Sequence, residues 1–169
     1  MKDKFLFIGI AVAIFALSCA AVPKPAVDRE IWYNAINFVS GDPTLKIYQP
    51  YVAHPSVKIK ATSPGDLKWI SMTIPTKPGK KIKGIRVCYQ LTNSRSFISQ
   101  IRLAEMITPD HAVVKHDDGT DLLSTTPTCY DSIVAEYEPK ASVLLELRLN
   151  FGDTADVITI GGIRVLWGD

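Results

Sequence analysis

The sequence predicts an all-β protein, an antiparallel β-sandwich of about eight or nine strands that follows an N-terminal signal helix. From Leu45 onward, short runs rich in Val, Ile, Leu, Thr and aromatic residues alternate with clusters of Pro, Gly and Asp. Such runs, bounded by turn residues, are typical of strands. No long segment of this part of the chain has the periodicity of an amphipathic helix, so the strands must pack on one another.

Residues 1–21 are predicted to be an export signal. Lys2 and Lys4 precede an apolar run from Phe5 to Leu17, and small residues follow it at Ser18–Ala21. This order is that of a secretory signal peptide. The apolar run is shorter than the roughly 20 residues that a membrane-spanning helix needs.

Two cleavage positions stay open after this signal. The Phe15–Cys19 segment resembles a bacterial lipobox, in which Cys19 becomes the lipidated first residue of the mature protein. The acyl chains on Cys19 would then anchor the protein to a membrane without spanning it. Cleavage after Ala20 or Ala21 would give a secreted protein instead. We therefore expect an exported protein, either a periplasmic or cell-surface lipoprotein or a secreted one.

Residues 22–44 are predicted to be a linker and leading segment, and residues 45–169 the sandwich domain. The linker contains Pro23 and Pro25, the stretch 28–39 fits either a helix or a strand, and a break follows at 40–43. In the sandwich domain we predict strands over 45–52, 56–61, 68–74, 81–92, 97–104, 111–115, 128–137, 142–151 and 156–167. Gly161 and Gly162 inside the last of these indicate a β-bulge.

The charge of the chain argues against a general nucleic-acid binder, because the formal net charge is only +2. The two halves nevertheless differ: residues 46–102 hold eleven Lys and Arg against one acid, whereas residues 105–169 hold four against twelve acids. The long-range strand pairing of a sandwich interleaves the two halves. We therefore expect cross-strand pairs to cancel much of this asymmetry.

Cys88 and Cys129 are predicted to form a disulfide. An exported protein meets an oxidising compartment, where an even number of remaining cysteines favours pairing. Two buried free thiols are the alternative.

Four arginines carry the first binding-site hypothesis. Each stands between aliphatic neighbours in a predicted strand, so the aliphatic pair points inward and the Arg outward: Arg86, Arg102, Arg148 and Arg164. If these strands share a sheet, its outer face could bind the carboxylate, sulfate or phosphate groups of an acidic glycan or a lipid headgroup. The alternative is a solvated face whose arginines pair with neighbouring acids.

Trp69 is the preferred aromatic candidate for a sugar platform. It alternates with Ile70, Met72 and Ile74, so it lies on the more exposed face of its strand. Tyr48, Tyr51 and the pair Trp32–Tyr33 are further aromatic candidates. Ordinary packing in the core or at its rim is the alternative for each of them.

Asp117, Asp118 and Asp121 form a weak calcium candidate, because they crowd carboxylates into one loop. Their spacing differs from that of an EF-hand loop, and an Asp-Gly turn explains the same residues. We therefore predict no metal and no cofactor. We also predict that the protein is not an enzyme, since no catalytic motif occurs in the sequence.

The stretch from Trp69 to Pro75, the turn at Pro78-Gly79 and the strand ending in Val87-Cys88-Tyr89 resemble exported bacterial and phage-associated β-sandwiches. The closing 162–167 segment is similar to their final strand. The resemblance implies a jelly-roll-like sandwich of the carbohydrate-binding-module or appendage-domain type. It implies no particular catalytic or ligand residue.

The sequence thus favours a non-catalytic, exported β-sandwich that binds a glycan or another component of the cell envelope. An alternative is a structural domain whose Arg-bearing face is a protein interface and which forms a homo-oligomer. A third is a glycan-active enzyme, which would need two carboxylates that converge across a cleft.

Overall fold

The computed structural model describes residues 28–51 and 54–169. The predicted signal peptide, Cys19 and the Pro-containing spacer lie outside the described residues. Within them, no helix has the length and apolar character needed to cross a membrane.

Two antiparallel sheets account for nearly all of the regular secondary structure of the described residues. The ten strands are β1 (Arg29–Asn34), β2 (Leu45–Tyr48), β3 (Val57–Ala61), β4 (Gly65–Ile74), β5 (Lys81–Leu91), β6 (Phe97–Thr108), β7 (His111–Asp118), β8 (Thr128–Tyr137), β9 (Val143–Phe151) and β10 (Ile158–Gly168). A single 3-10 turn, Ala35–Asn37, follows β1. The prediction of an all-β sandwich is confirmed.

The strand order is that of a jelly roll. Sheet A has the order β2-β3-β10-β5-β8, with β1 also paired to β10, and sheet B has the order β4-β9-β6-β7. The eight strands β3 to β10 build two four-stranded sheets whose members interleave along the chain, as in a jelly roll. This confirms the fold implied by the resemblance.

The core lies between the two sheets and follows from strict alternation along the strands. In β9 the inward residues Val143, Leu145, Leu147, Leu149 and Phe151 are all buried, while the residues between them are partly exposed. Burying one such side chain contributes about 1.5–3 kcal/mol. Sheet A supplies the facing layer, which includes Ile85, Val87, Ile160, Ile163 and Val165.

β1 lies upstream of residue 45, where the sequence places the start of the sandwich domain. It pairs with the second half of β10, from Arg29 opposite Trp167 to Asn34 opposite Gly162. The described part of sheet A therefore begins at Arg29. The local sequence fits helix or strand equally, and the free edge of β10 decides between them by offering backbone partners.

The predicted bulge at Gly161–Gly162 is present. Ile160 lies opposite Tyr89 and Ile163 lies opposite Val87. Between these two pairs, β10 therefore contains one more residue than β5. On its other edge, β10 changes partner at the same position. Its pairing with β3 extends to Ile160, and its pairing with β1 begins at Gly162.

Cys88 and Cys129 form the predicted disulfide. They are direct cross-strand partners on β5 and β8, and their Cα atoms are 3.9 Å apart. Both residues point to the outer side of sheet A, so the bond joins two neighbouring strands on the solvent side of the sandwich.

The disulfide should stabilise the fold by restricting the unfolded chain. A closed loop of this length, with a sequence separation of 41 residues, is expected to contribute about 3–4 kcal/mol. Urea denaturation of the double variant Cys88→Ala/Cys129→Ala should show a loss of that size. Reduction of the natural protein should reproduce the loss, and an unchanged midpoint on reduction would contradict the prediction.

Candidate functional site

The four strand arginines do not share a sheet. Arg86 and Arg164 lie directly opposite each other on β5 and β10 of sheet A, whereas Arg102 and Arg148 belong to β6 and β9 of sheet B. The arginines therefore stand on two opposite outer faces of the molecule. The single Arg-bearing face expected from the sequence does not form, because a jelly roll sends these strands to different sheets.

Acidic side chains neutralise the arginine pair on sheet A. Asp131 accepts hydrogen bonds from Arg86 Nε and Arg164 Nη2, each at 2.7 Å, and Arg164 also pairs with Glu30. The hydrogen bond from Arg86 holds the pKa of Asp131 below its usual range. These arginines are thus engaged by their own chain, as the solvated-face alternative predicts.

The two arginines of sheet B are also engaged by neighbouring side chains, one of which is Trp69. The Arg102 guanidinium carbon lies 4.8 Å from the centre of a Trp69 ring, a cation–π contact, and Arg102 also pairs with Asp117. Arg148 pairs with Asp66 at 3.2 Å and donates from Nε to Ser99 Oγ. Trp69 is partly buried, and one of its ring faces is occupied by Arg102.

Two of the three aspartates of the weak calcium candidate, Asp117 and Asp118, bind protein partners. Asp117 bonds with Gln100 and Arg102, while Asp118 accepts from Ser132 Oγ at 2.6 Å and from Tyr130 OH at 3.1 Å. Among residues 28–51 and 54–169, no group of three or more His, Cys, Asp and Glu side chains could hold a metal ion.

His116, Ser132 and Asp118 form a hydrogen-bonded chain between the edge strands of the two sheets. Ser132 donates to Asp118, so its Oγ accepts the Nε2 proton of His116 at 2.7 Å. In a nucleophilic triad the His stands between Ser and Asp and accepts the Ser proton. Here Ser132 stands in the middle and is only 1% exposed, so the cluster links the sheets rather than activating a nucleophile.

An open groove lies on the outer face of sheet A. Its volume is about 840 Å³, within the range of ligand sites. One row of its residues crosses four strands in register: Tyr48 lies opposite Lys58, Lys58 opposite Thr159, and Thr159 opposite Gln90. Because residues two apart share a face, Lys60 lies beside Lys58 in the same groove.

Two smaller hollows of about 420 Å³ each lie beside this groove. Ser56 lines all three, and Gly161 lines both of the smaller ones. One is bordered by the Cys88–Cys129 disulfide and the other by Trp32. Ser56 therefore connects the groove to the surface next to Trp32, and the bulge at Gly161 lies between the two smaller hollows.

Aromatic side chains stand at both ends of this surface. Tyr48 is 50% exposed, Tyr51 is 65% exposed, and Trp32 is 52% exposed. The Trp32 ring rests on Gly162, where an added Cβ would come within 3.1 Å of a ring carbon. Gly162 thus leaves the room that lets the Trp32 ring lie against the strand.

The sequence places Trp32, Tyr48 and Tyr51 only among the further aromatic candidates, and it does not single out Lys58, Lys60, Gln90 or Thr159. The available signal was the alternation of β3, in which Lys58 and Lys60 flank the buried Ile59. Alternation shows which residues point outward. It does not show which strands become neighbours, and the groove depends on those neighbours.

The fold and the groove together define a jelly-roll β-sandwich with an open cleft across one sheet. No protein-family model matches the chain, and no curated protein is similar to it in sequence. Solved structures show the fold.

One similar structure is the CBM36-1 domain of a multidomain xylanase from the hindgut metagenome of Trinervitermes trinervoides. It is 12% identical in sequence and has a TM-score of 0.51, and the match covers 81% of this chain and 96% of that domain. Part of the mosquito-larvicidal Cry4Aa toxin from Bacillus thuringiensis is 16% identical with a TM-score of 0.51, over 81% of this chain and 23% of the toxin. Part of the enzymatically active domain of tailspike protein 4 from bacteriophage CBA120 is 12% identical with a TM-score of 0.50, over 80% of this chain and 19% of that one. At these identities the likeness establishes a shared jelly-roll sandwich.

The link through His116 should make stability depend on pH. Burial lowers the pKa of His116, and the charges of Asp118 and Asp117 oppose this without reversing it. The unfolded His, with a pKa of about 6.5, binds its proton more readily, so stability should fall as the pH drops through 6.5. The melting temperature of the natural protein should therefore decrease between pH 7.5 and pH 5.5.

His116→Gln should lose most of this decrease, whereas the exposed His111→Gln on the same strand should keep it. Thermal melts across this pH range check the prediction. Equal pH dependence in all three proteins would contradict it.

Proposed function

We propose that this protein is a non-catalytic glycan-binding β-sandwich whose ligand lies in the groove of sheet A. The observation that carries the proposal is a set of exposed aromatic rings: Tyr48 and Tyr51 line the groove, and Trp32 lines the neighbouring hollow. Exposed aromatic side chains are costly to leave in water, and their presence around a concavity favours a ligand-binding role.

The chemistry of this surface suits a sugar chain. A pyranose ring has an apolar C–H face that packs on an aromatic ring, and a rim of hydroxyls that need hydrogen-bond partners. Tyr48 supplies a ring, while the next positions across the sheet supply donors and acceptors from Lys58, Thr159 and Gln90. Gln90 is already oriented by a hydrogen bond from its Nε2 to Thr125 O.

The groove is also preorganised. Its floor is made of paired strands rather than of a loop, and the Cys88–Cys129 disulfide ties β5 to β8 at its side. A site on rigid elements loses little conformational entropy when the ligand binds. An open groove of this kind suits the length of a polysaccharide better than a small enclosed molecule.

Two further observations support binding rather than cleavage. The described residues that line the groove include no Asp or Glu, and most glycoside hydrolases use a pair of carboxylates. The CBM36-1 domain, whose fold is similar, is a carbohydrate-binding module within a multidomain xylanase. We therefore favour a glycan as the ligand class.

Single variants of the groove aromatics test the proposal. On an array of plant and bacterial polysaccharides, Trp32→Ala and Tyr48→Ala should each weaken binding about tenfold or more, equivalent to about 1.4 kcal/mol. Trp69→Ala, which removes an aromatic ring from the opposite sheet, is the matched control and should bind as the natural protein does.

Loss of binding in Trp69→Ala alone would instead place the ligand on sheet B, at the aromatic candidate favoured by the sequence. An oligomer that binds no glycan would favour the second candidate, a protein-interaction domain. Ile133, which is 85% exposed on the edge strand β8, is the observation in favour of that alternative. Light scattering on the same samples decides the oligomeric state.

We further propose that the protein is exported and anchored through a lipid on Cys19. The basic start, apolar run and lipobox-like Phe15–Cys19 segment support this location. When the full chain is expressed in a bacterium fed labelled palmitate, the mature protein should carry label and fractionate with membranes. Cys19→Ala should lose the label, and a soluble, unlabelled natural protein would favour the secreted alternative.

A further inference from the structure

We propose that the groove selects anionic polysaccharides, those that carry carboxylate or sulfate groups, through Lys46, Lys58 and Lys60. This inference rests on the glycan-binding function proposed above and specifies its ligand class. It differs from the sequence hypothesis of an arginine face, because all three cations are lysines of β2 and β3.

Strand pairing places the three lysines on one patch. Lys46 lies directly opposite Lys60, and Tyr48, the next outward residue of β2, lies directly opposite Lys58. Outward residues of a strand are two apart, so Lys58 and Lys60 are also neighbours along β3. The patch therefore consists of three ammonium groups and one exposed aromatic ring.

No carboxylate of the described chain compensates this patch. None of the three lysines is among the described ion pairs closer than 4.0 Å, which engage Lys68, Lys80, Lys81, Lys83, Lys115 and Lys140 instead. The described groove lining contains Lys58 and Lys60 and no acid.

On the same outer face of sheet A, the positive charges of two opposed arginines are neutralised by an acidic residue. Arg86 and Arg164 are also like charges in directly opposed positions, and Asp131 bonds to both. Like charges directly opposite each other destabilise a sheet by an amount comparable to the roughly 0.2–1 kcal/mol of a favourable pair. The fold thus neutralises the arginine pair with Asp131, whereas Lys46 and Lys60 are available to an anionic ligand.

The position of Tyr48 fixes how such a ligand would lie. Neighbouring strands are about 4.8 Å apart, close to the width of one sugar ring. A sugar stacked on Tyr48 would therefore bring its acidic substituent to the Lys58 ammonium, and the next sugar would bring its own to Lys46 and Lys60. Lysines suit this task, because a flexible point charge reaches anions of either carboxylate or sulfate geometry.

The experiment compares polysaccharides by titration calorimetry with the 26–169 chain, the described fold plus two preceding residues. Polygalacturonate supplies carboxylates, dextran sulfate supplies sulfates, and xylan is the neutral reference. The double variant Lys46→Gln/Lys60→Gln, which removes the directly opposed like charges, should lose about tenfold or more in affinity for both anionic chains. Its xylan binding should stay unchanged, and its melting temperature should equal or exceed that of the natural protein.

Lys140→Gln is the matched control, since it removes one positive charge at an exposed site outside the groove. It should bind every polysaccharide as the natural protein does. Raising the salt concentration should reduce the difference in affinity between the anionic chains and xylan, because salt screens the charge interactions.

Three results would overturn the inference. Equal xylan and polyanion binding, unaffected by the double variant, would leave a neutral-glycan module and so preserve the proposed function alone. An equal loss in Lys140→Gln would show diffuse attraction to polyanions rather than a site. Binding of none of these chains by the folded natural protein would overturn this inference, and the polysaccharide array would decide the proposed function separately.

Discussion

The pairing of β5 with β10 is the interaction on which the rest of sheet A depends. These two long strands lie at the centre of their sheet, with β8 on one side and both β3 and β1 on the other. Their register determines which outward residues become neighbours: Arg164 faces Arg86, and Thr159 faces Gln90. The charged network and the floor of the groove are therefore consequences of one backbone register, and a slip of one residue would turn the whole outward set into the core.

The bulge in β10 reconciles two demands on that register. Ile160 and Ile163 are three residues apart, so plain alternation would direct them to opposite faces, yet both are fully buried. The extra residue at Gly161–Gly162 shifts the phase and returns both to the core. On the outer side, the same glycines carry no side chains and lie at the junction between β3 and β1, where the hollow next to Trp32 opens. One insertion thus corrects the packing inside and creates the opening outside.

Local sequence patterns predict the parts of this structure that depend on one strand at a time. Alternation in β9, the disulfide partners and the bulge at Gly161–Gly162 could all be predicted, because each depends on parity, compartment or a glycine pair. The grouping of Arg86 with Arg164 but not with Arg102 could not be predicted, because the sequence of one strand does not show which strands will pair with it. For the same reason Trp69 looked more accessible than it is: its cover comes from Arg102, which belongs to β6 and is brought over the ring by the order of sheet B.

The distribution of charge is the clearest sign of where the fold has been shaped for something other than stability. Much of the sequence asymmetry between a basic first half and an acidic second half is removed by pairs that join the halves, such as Arg86 with Asp131 and Arg95 with Asp156. Within the acidic half, Glu105 is also satisfied: it is buried, pairs with Lys115 and accepts backbone hydrogen bonds from Lys140 and Ala141. Lys46, Lys58 and Lys60 stand apart from this pattern, on the part of the face that also exposes Tyr48. A sheet that neutralises its central cations and leaves three at one edge is organised around a charge that the described chain does not supply.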